Sequence, residues 1–226
     1  MNNLKERICK FLKDDKTKSI FAFLFFVWSV VNFTDLPNKM PVPVRAIWFY
    51  LNIAGIGFYS KMWGDKIFDR LEAVRGNVKK VIKKEAKKIG REILLFIPIE
   101  VILGVITYNI MKGAPQNQIG LEELFWKNPI SIAFLSIFIA PFIEEVTFRF
   151  LPRCFIKNGI IYVIFATVTF AAMHVIEDSN WFYYIWFYSV RPLWYSYRYY
   201  KTKDICIPIA LHSFNNVVAI ALILFK

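Results

Sequence analysis

The chain has 226 residues, of which 57% are hydrophobic and 20% are charged. Apolar runs of membrane-spanning length recur along it, which excludes a single soluble core and favours a bilayer. The formal net charge is +12, but no nucleic-acid recognition motif accompanies it. We therefore expect no nucleic-acid partner and attribute the charge to membrane topology.

The first half of the chain predicts three spans. Residues 1–18 are polar and basic and predict a short amphipathic surface helix. The apolar run that follows, Ile20 to Phe33, is interpreted as an uncleaved first span because no small-residue cleavage site comes after it. Spans 2 and 3 are predicted over Val44 to Ser60 and Glu92 to Met111.

A strongly basic segment, residues 61–91, separates spans 2 and 3. It contains eleven Lys or Arg residues. Its apolar residues recur at helical spacing among the lysines, which is typical of a basic helix lying on an anionic membrane surface. A solvated basic loop is an equally good interpretation, and the sequence leaves both open.

The second half of the chain predicts four further spans. They are Pro129 to about Phe155, Gly159 to Ile176, Trp181 to Tyr197 and Ile205 to Phe225. The predicted fold class is therefore all-α, a polytopic transmembrane helical bundle of about seven spans. We divide it into residues 1–128, which hold the first three spans, and residues 129–226, a four-helix core.

The distribution of basic residues predicts the orientation. With the N-terminus in the cytoplasm, 22 of the 29 Lys and Arg residues lie in cytoplasmic segments. The chain is thus expected in the cell membrane as a multi-pass protein. Cys9, Cys154 and Cys206 have no metal-ligand spacing and are assigned no role.

Span 4 contains charged residues that are costly at bilayer depth. Glu144 and Glu145 follow more than a dozen mostly apolar residues, and Arg149 follows four residues after Glu145. Each charge costs about 2.5–3.5 kcal/mol on insertion scales. Glu145 and Arg149 can pair on one helix face. Glu144 points elsewhere, which makes it the better general acid or base, whereas an ion-paired helix anchor is the structural alternative for the pair.

The two histidines of the chain also lie within apolar spans. His174 and Glu144 are about 24 and 21 Å from the turn at Asn158, so an antiparallel hairpin would put them at one depth. Asn216 follows His212 by four residues and shares its helix face. His212 is only about 12 Å from its own turn and is expected to be shallower unless span 7 starts deeper.

Two prolines precede these polar groups within their spans. Pro141 lies before the glutamates and Pro208 before His212. Each can bend its helix and open room for water or a substrate backbone.

Three motifs in this order resemble the CPBP (CAAX protease and bacteriocin-processing, or Abi) family. They are Glu144-Glu145-x-x-x-Arg149, Phe170-x-x-x-His174 and His212-x-x-x-Asn216. The family contains the Rce1-like type II CAAX prenyl endopeptidases and bacterial self-immunity proteins. The resemblance extends over about residues 129–220.

The resemblance implies a glutamate-type intramembrane endopeptidase. In that reading Glu144 and His174 activate water, His212 and Asn216 stabilise the oxyanion, and Glu145 and Arg149 orient the site, with Phe170 in support. The favoured mechanism requires no cofactor. Zinc is the alternative, because the family is often described as metalloproteases, and its ligands would be Glu144, His174 and His212.

The expected partners are a peptide or membrane-protein substrate and anionic lipid at the basic segment. The abundance of Lys, Ile, Phe and Asn is typical of a bacterium with an AT-rich genome, which favours a small secreted peptide or membrane protein over a prenylated one. A non-catalytic self-immunity or scaffold protein of the same fold, and a transporter with a Glu/His proton relay, remain as alternatives.

Overall fold

The computed structural model describes residues 14–33, 39–45, 47–48, 50–51, 57, 78–110, 116–176, 178 and 181–225. The chain divides into two compact units, Met1–Glu85 and Ala86–Lys226. The predicted division at residue 128 stays a prediction. Every regular element of the described residues is a helix, as the predicted all-α class requires.

The first unit contains helix α1, Asp15–Phe33. Asp14 caps it, because its carboxylate accepts the backbone N–H of Thr17 at 2.8 Å, and this bond lowers the pKa of the Asp14 carboxyl. Trp48 stacks on Trp28 with ring centroids 4.2 Å apart. Of the predicted surface helix, residues 1–13 lie outside the described residues, as does most of predicted span 2.

The remaining helices run from the end of the first unit through the second. They are α2 (Val78–Ile110), α3 (Gln116–Lys127), α4 (Pro129–Phe155), α5 (Gly159–Val175), α6 (Trp181–Thr202) and α7 (Cys206–Leu224). The bounds of α4 to α7 lie close to the predicted spans 4 to 7. The main extension is in α6, which continues five residues past Tyr197.

The length and hydropathy of the described helices bear on the predicted number of spans. Within the described residues, two helices are long and apolar enough to cross a membrane, α4 and α7, and α5 is apolar but shorter. These helices are consistent with a membrane protein, and the seven-span count stays a prediction. Helix α2 joins the basic residues from Val78 onward to predicted span 3 without a break. For residues 78–91 this favours a helix over a loop, and residues 61–77 lie outside the described residues.

Helix α4 contains two π-helical stretches, Leu135–Ile139 and Val146–Phe150. In each, the next residue donates its N–H five residues back: Ala140 to the carbonyl of Leu135, and Leu151 to that of Val146. A proline follows immediately in both cases, Pro141 and Pro152. Because proline has no N–H, the ladder cannot return to its regular spacing at that residue. The α-helical turn Ala140–Glu145, which carries both glutamates, lies between the two stretches.

Helices α6 and α7 supply most of the apolar packing in the second unit. Phe96 of α2 packs with Tyr195, Ile207 and Leu211. A second cluster joins α3 to α7, and a third joins α5 to α6 through Tyr162, Ala166 and Tyr199. Gly159 begins α5 beneath the Tyr200 ring, where an added Cβ would lie 2.3 Å from a ring carbon.

A set of four charged residues, here called the anchor cluster, joins α2 to the region between α6 and α7. Arg198 binds the Glu92 carboxylate through two nitrogens, with its Nε 2.6 Å from Oε2. Lys88 pairs with Asp204. Asp204 also accepts the backbone N–H of Cys206, the first residue of α7, at 3.1 Å. Glu92 and Asp204 are both buried.

Candidate active site

Glu144 lies between the two histidines of the chain. Its Oε2 is 3.7 Å from Nε2 of His174 and 3.8 Å from Nε2 of His212. The three side chains come from α4, α5 and α7, and all are buried or half-buried. The structure therefore brings together one carboxylate and two imidazoles that are separated by 30 and 68 residues in sequence.

A backbone hydrogen bond fixes the ring of His174. Its Nδ1 lies 2.9 Å from the carbonyl oxygen of Phe170, one helical turn earlier. A carbonyl can only accept, so Nδ1 carries the proton and donates it. In the neutral ring, Nε2 then carries a lone pair that faces Glu144. The side chains of Glu144 and His174 retain 15% and 19% exposure, although Oε2 of Glu144 is itself buried.

A carboxylate fixes the ring of His212 in the same sense. Its Nδ1 is 2.8 Å from Oε1 of Glu145. The same oxygen is 3.1 Å from Nη1 of Arg149, and Glu145 and Arg149 are both completely buried. Glu145 therefore pairs with Arg149 along α4, as the i,i+4 spacing predicts, and at the same time orients His212 on α7.

Aromatic rings line the site. Phe170 stacks on His174 with centroids 4.3 Å apart, and the guanidinium carbon of Arg149 lies 4.2 Å from the same ring. Tyr188 of α6 stacks on His174, and Tyr195 stacks on His212, at centroid distances of 5.6 and 5.9 Å. The sequence singled out Phe170 but neither tyrosine. Their signal is the density of Tyr and Trp in α6, which does not say which rings face inward.

Asn216 reaches a different part of α4. Its amide nitrogen donates to the carbonyl of Ser136 at 2.7 Å. That carbonyl lacks its usual helical donors, because Ala140 donates to Leu135 and Pro141 has no N–H. One Asn216 N–H thus completes the backbone at the first π-helical stretch, and the second N–H of the amide remains for other partners. Ser136 carries no signal in the sequence, because it takes part through its main chain.

His212 is not shallower than the other two residues, since it lies at the same Glu144 oxygen as His174. The contrary expectation came from counting residues along α7 alone. In the turn before α7, Asp204 is only 4% exposed and pairs with Lys88 of α2, whereas Lys203 and Cys206 are exposed. The position of His212 is set by its own contact with α4, where its Nδ1 lies 2.8 Å from Oε1 of Glu145.

Several polar atoms of the site lack hydrogen-bond partners within the described residues. They are Glu144 Oε2, Glu145 Oε2 and the three guanidinium nitrogens of Arg149. Arg149 nevertheless has its ion pair with Glu145 and its stacking on Phe170. Buried polar atoms are usually satisfied, so this concentration marks the site as different from a structural polar core.

The zinc alternative can be compared with the donor atoms present. Both histidines have Nδ1 held by an acceptor, which is the usual arrangement of metal-ligating imidazoles. Tetrahedral zinc separates its N and O ligand atoms by roughly 3.3 Å, given bonds of about 2.0–2.1 Å. The separations from Glu144 are 3.7 and 3.8 Å, and no group of three His, Cys, Asp or Glu residues in the described part of the chain is arranged to hold a metal. These residues do not fit zinc as they stand.

Comparison with known families supports a particular chemistry for this arrangement. Residues 120–218 match the sequence model of the type II CAAX prenyl endopeptidase Rce1-like family. The match runs from α3 into α7 and includes every residue of the site. The resemblance to this family is thereby confirmed over that region, and it supports a membrane peptidase of the CAAX-protease type. Searches of curated proteins and of solved structures found no significant match.

Proposed function

We propose that the protein is an intramembrane endopeptidase of the glutamate type. One observation carries the proposal: the Glu144 carboxylate faces the Nε2 atoms of His174 and His212 at 3.7 and 3.8 Å. Peptide hydrolysis needs a base beside the attacking water and donors where negative charge develops. A carboxylate between two oriented imidazoles supplies groups for both tasks. The match of residues 120–218 to a peptidase family supports the same reaction.

Glu144 and His174 would activate the water. With Nδ1 of His174 donating to Phe170, both Nε2 and the Glu144 carboxylate are acceptors on one side of the site. A water that donates to both is held with its oxygen lone pairs free for attack on a carbonyl carbon. As that oxygen bonds to the carbon, its proton passes to the carboxylate, which later gives it to the leaving amine.

His212 and Asn216 would stabilise the oxyanion. Because Nδ1 of His212 already donates to Glu145, its Nε2 donates only when the ring carries both protons. Glu145 and Arg149 hold the ring in that orientation. Asn216 would contribute the amide N–H that the Ser136 carbonyl does not use. Such donors are worth more in a water-poor cavity than in bulk solvent.

The proposed substrate is a membrane-bound protein or a small secreted peptide, in the cell membrane and with the N-terminus of the enzyme in the cytoplasm. Anionic lipid is the proposed partner of the basic segment 61–91. Lys83, Lys84 and Lys87 of α2 are exposed and support this. Lys88 differs, because it pairs with Asp204.

The experiment uses the full chain reconstituted in liposomes. Its substrates are a peptide ending in a CAAX box, with and without a farnesyl group, and a hydrophobic secreted-type peptide, each carrying a fluorophore and a quencher on opposite sides of the cleavage region. Wild-type protein is expected to cleave at least one, and mass spectrometry of the products locates the bond. Glu144→Gln should leave the peptides intact.

The matched control is Glu123→Gln, which changes an exposed glutamate of α3. It should cleave at the wild-type rate. Equal cleavage by Glu144→Gln and wild type would refute the catalytic assignment. A wild-type protein that cleaves none of the peptides, yet protects cells from a bacteriocin equally well with and without the Glu144→Gln change, would favour the non-catalytic alternative.

A further inference from the structure

An apolar groove lies on the second unit, outside the site. It has a volume of about 430 Å³ and is lined by side chains of α2, α5 and α6. The lining residues are Ile99, Val163, Val190, Leu193, Trp194 and Tyr197. None of them carries a charge, and three of them, Val190, Leu193 and Tyr197, are themselves exposed. A groove of this composition suits a hydrocarbon chain.

One end of the groove is cationic. The Lys201 ammonium lies 5.7 Å from the centre of the Tyr197 ring, and the Arg198 guanidinium carbon lies 5.8 Å from the centre of the Trp194 ring. Both rings belong to the groove lining. Arg198 is already bound to Glu92, whereas the Lys201 residue is exposed. The groove therefore ends at cations that can attract an anion.

Arg91 adds a third cation to the same end. Its side chain is 69% exposed and lies 3.6 Å from the Glu92 carboxylate. With Arg198 and Lys201 against a single Glu92, the local charge is positive by two. Glu92 cannot neutralise all three cations, so a further negative group is favoured there.

The apolar lining of the groove extends away from the cations along both α2 and α6. Val190 precedes Arg198 by eight residues, which is about 12 Å along a helix. Ile99 follows Glu92 by seven residues on α2, or about 10 Å. The apolar lining thus extends more than 10 Å away from the cations, in the same direction along both helices. A headgroup phosphate at the cations would let an attached chain follow the lining.

We propose that this groove binds an anionic glycerophospholipid, with one acyl chain along the apolar lining and the phosphate beside Lys201. Lys201 provides the main attraction, and Arg91 and Arg198 add to it. Apart from Arg91, which belongs to both, the site differs from the basic segment 61–91, where lipid would be attracted by surface charge alone. It is also separate from the Glu144 site and does not depend on the proposed reaction.

Trp194 lines the groove and provides the probe. The full chain is placed in nanodiscs that contain a low fraction of phosphatidylglycerol with brominated acyl chains in phosphatidylcholine, and tryptophan quenching is measured. A second series uses the same fraction of brominated phosphatidylcholine. The Trp194 signal is the difference between wild type and Trp194→Phe. We expect brominated phosphatidylglycerol to quench this signal more strongly than brominated phosphatidylcholine.

Lys201→Gln tests the headgroup contact. Near an anionic group one lysine is worth about 1 kcal/mol, so the preference for phosphatidylglycerol should fall about five-fold. Lys127→Gln, at the exposed end of α3, should keep the preference. Equal quenching by the two brominated lipids in wild type would overturn the proposal. So would a preference that Lys201→Gln leaves unchanged but Lys83→Gln with Lys84→Gln abolishes, since surface charge would then explain it.

Discussion

The second unit contains two buried charge clusters that differ in how completely their atoms are bonded. In the anchor cluster, Glu92 receives two nitrogens of Arg198, and Asp204 receives both Lys88 and a backbone N–H. In the cluster at the site, one oxygen of each glutamate and the guanidinium of Arg149 lack hydrogen bonds within the described residues.

This difference in bonding corresponds to two roles that a buried charge can have. A carboxylate whose two oxygens both accept hydrogen bonds from the protein holds helices together and has little capacity left for a substrate. A carboxylate with an unused oxygen beside two oriented imidazoles keeps its basicity available for a reaction. Burial alone does not distinguish the two clusters, because Glu145 at the site is as buried as Glu92 in the anchor cluster. The number of partners does distinguish them.

The largest expected effect is the fall in the rate of peptide cleavage caused by Glu144→Gln. Loss of a general base lowers the rate by about 10²- to 10⁴-fold. The unfolding temperature in detergent should stay the same or rise, because the change removes a half-buried charge whose Oε2 has no hydrogen-bond partner within the described residues. Peptide cleavage and thermal unfolding are measured on the same preparation. A large fall in the unfolding temperature would show that Glu144 stabilises the fold as Glu92 does, and the two clusters would then not differ in role.

Glu92→Gln should show the reverse pattern. It leaves Arg198 without its carboxylate and is expected to lower the free energy of unfolding by about 3 kcal/mol. The activity of the molecules that remain folded should change little. Denaturant unfolding in detergent measures the loss, with the exposed Glu123→Gln as the matched control. If the variant unfolds like wild type but cleaves poorly, Glu92 acts in the reaction after all.

Asn216→Ala should combine both effects. It removes the donor to the Ser136 carbonyl, which costs about 1–3 kcal/mol, and the proposed oxyanion donor, which lowers the rate about 10²- to 10³-fold.

Adding Pro141→Ala separates the two effects of Asn216→Ala, because it supplies the missing backbone N–H to α4. The double variant should recover stability but not activity. Recovery of activity together with stability would show that Asn216 only supports the backbone.

Asn158→Ala gives a smaller change at a position without catalytic duty. The Asn158 side chain caps α5 by accepting the N–H groups of Ile160 and Ile161 at 2.9 and 3.1 Å. Its loss should lower the free energy of unfolding by about 1 kcal/mol with the rate unchanged, and Asn158→Asp should retain the cap. This variant shows how much activity changes when stability alone falls. A rate that drops in Asn158→Ala would weaken conclusions from the other variants.

The smallest expected effect is that of metal removal. The favoured mechanism predicts the same cleavage rate before and after dialysis against a zinc chelator. Loss of activity that added zinc restores would instead assign Glu144, His174 and His212 as ligands, with a closure of a few tenths of an ångström. Metal analysis of the purified wild type and of His174→Ala would then show bound zinc in the first alone.

The sequence predicted the helices that carry the site and the residues that meet there. Helical spacing identified the pair of Glu145 with Arg149, and a depth estimate placed His174 level with Glu144. Both depend on local geometry, which is regular along a helix. The family motifs added His212, which meets Glu144, and Asn216, which binds α4 at the Ser136 carbonyl. No local pattern joins either residue to α4.

The features that the sequence did not predict depend on tertiary contacts. The meeting of His212 with the glutamates depends on how α7 packs on α4, through a contact between residues 67 positions apart. The partner of Asn216 is a main-chain carbonyl, for which side-chain identity gives no signal. Tyr188 and Tyr195 could be identified only from the orientation of α6 about its axis. Aromatic residues occur on several faces of this helix, so its sequence does not indicate which face points inward.

Through the bond from Asn216 to the Ser136 carbonyl, α7 supplies a hydrogen bond that the backbone of α4 lacks. If the two helices slide or separate at this point, the Ser136 carbonyl loses its donor, at a cost of about 1–3 kcal/mol. Any movement that opens α4 from α7 at Ser136 therefore carries this cost. A substrate that enters between other helices reaches Glu144 without breaking the bond.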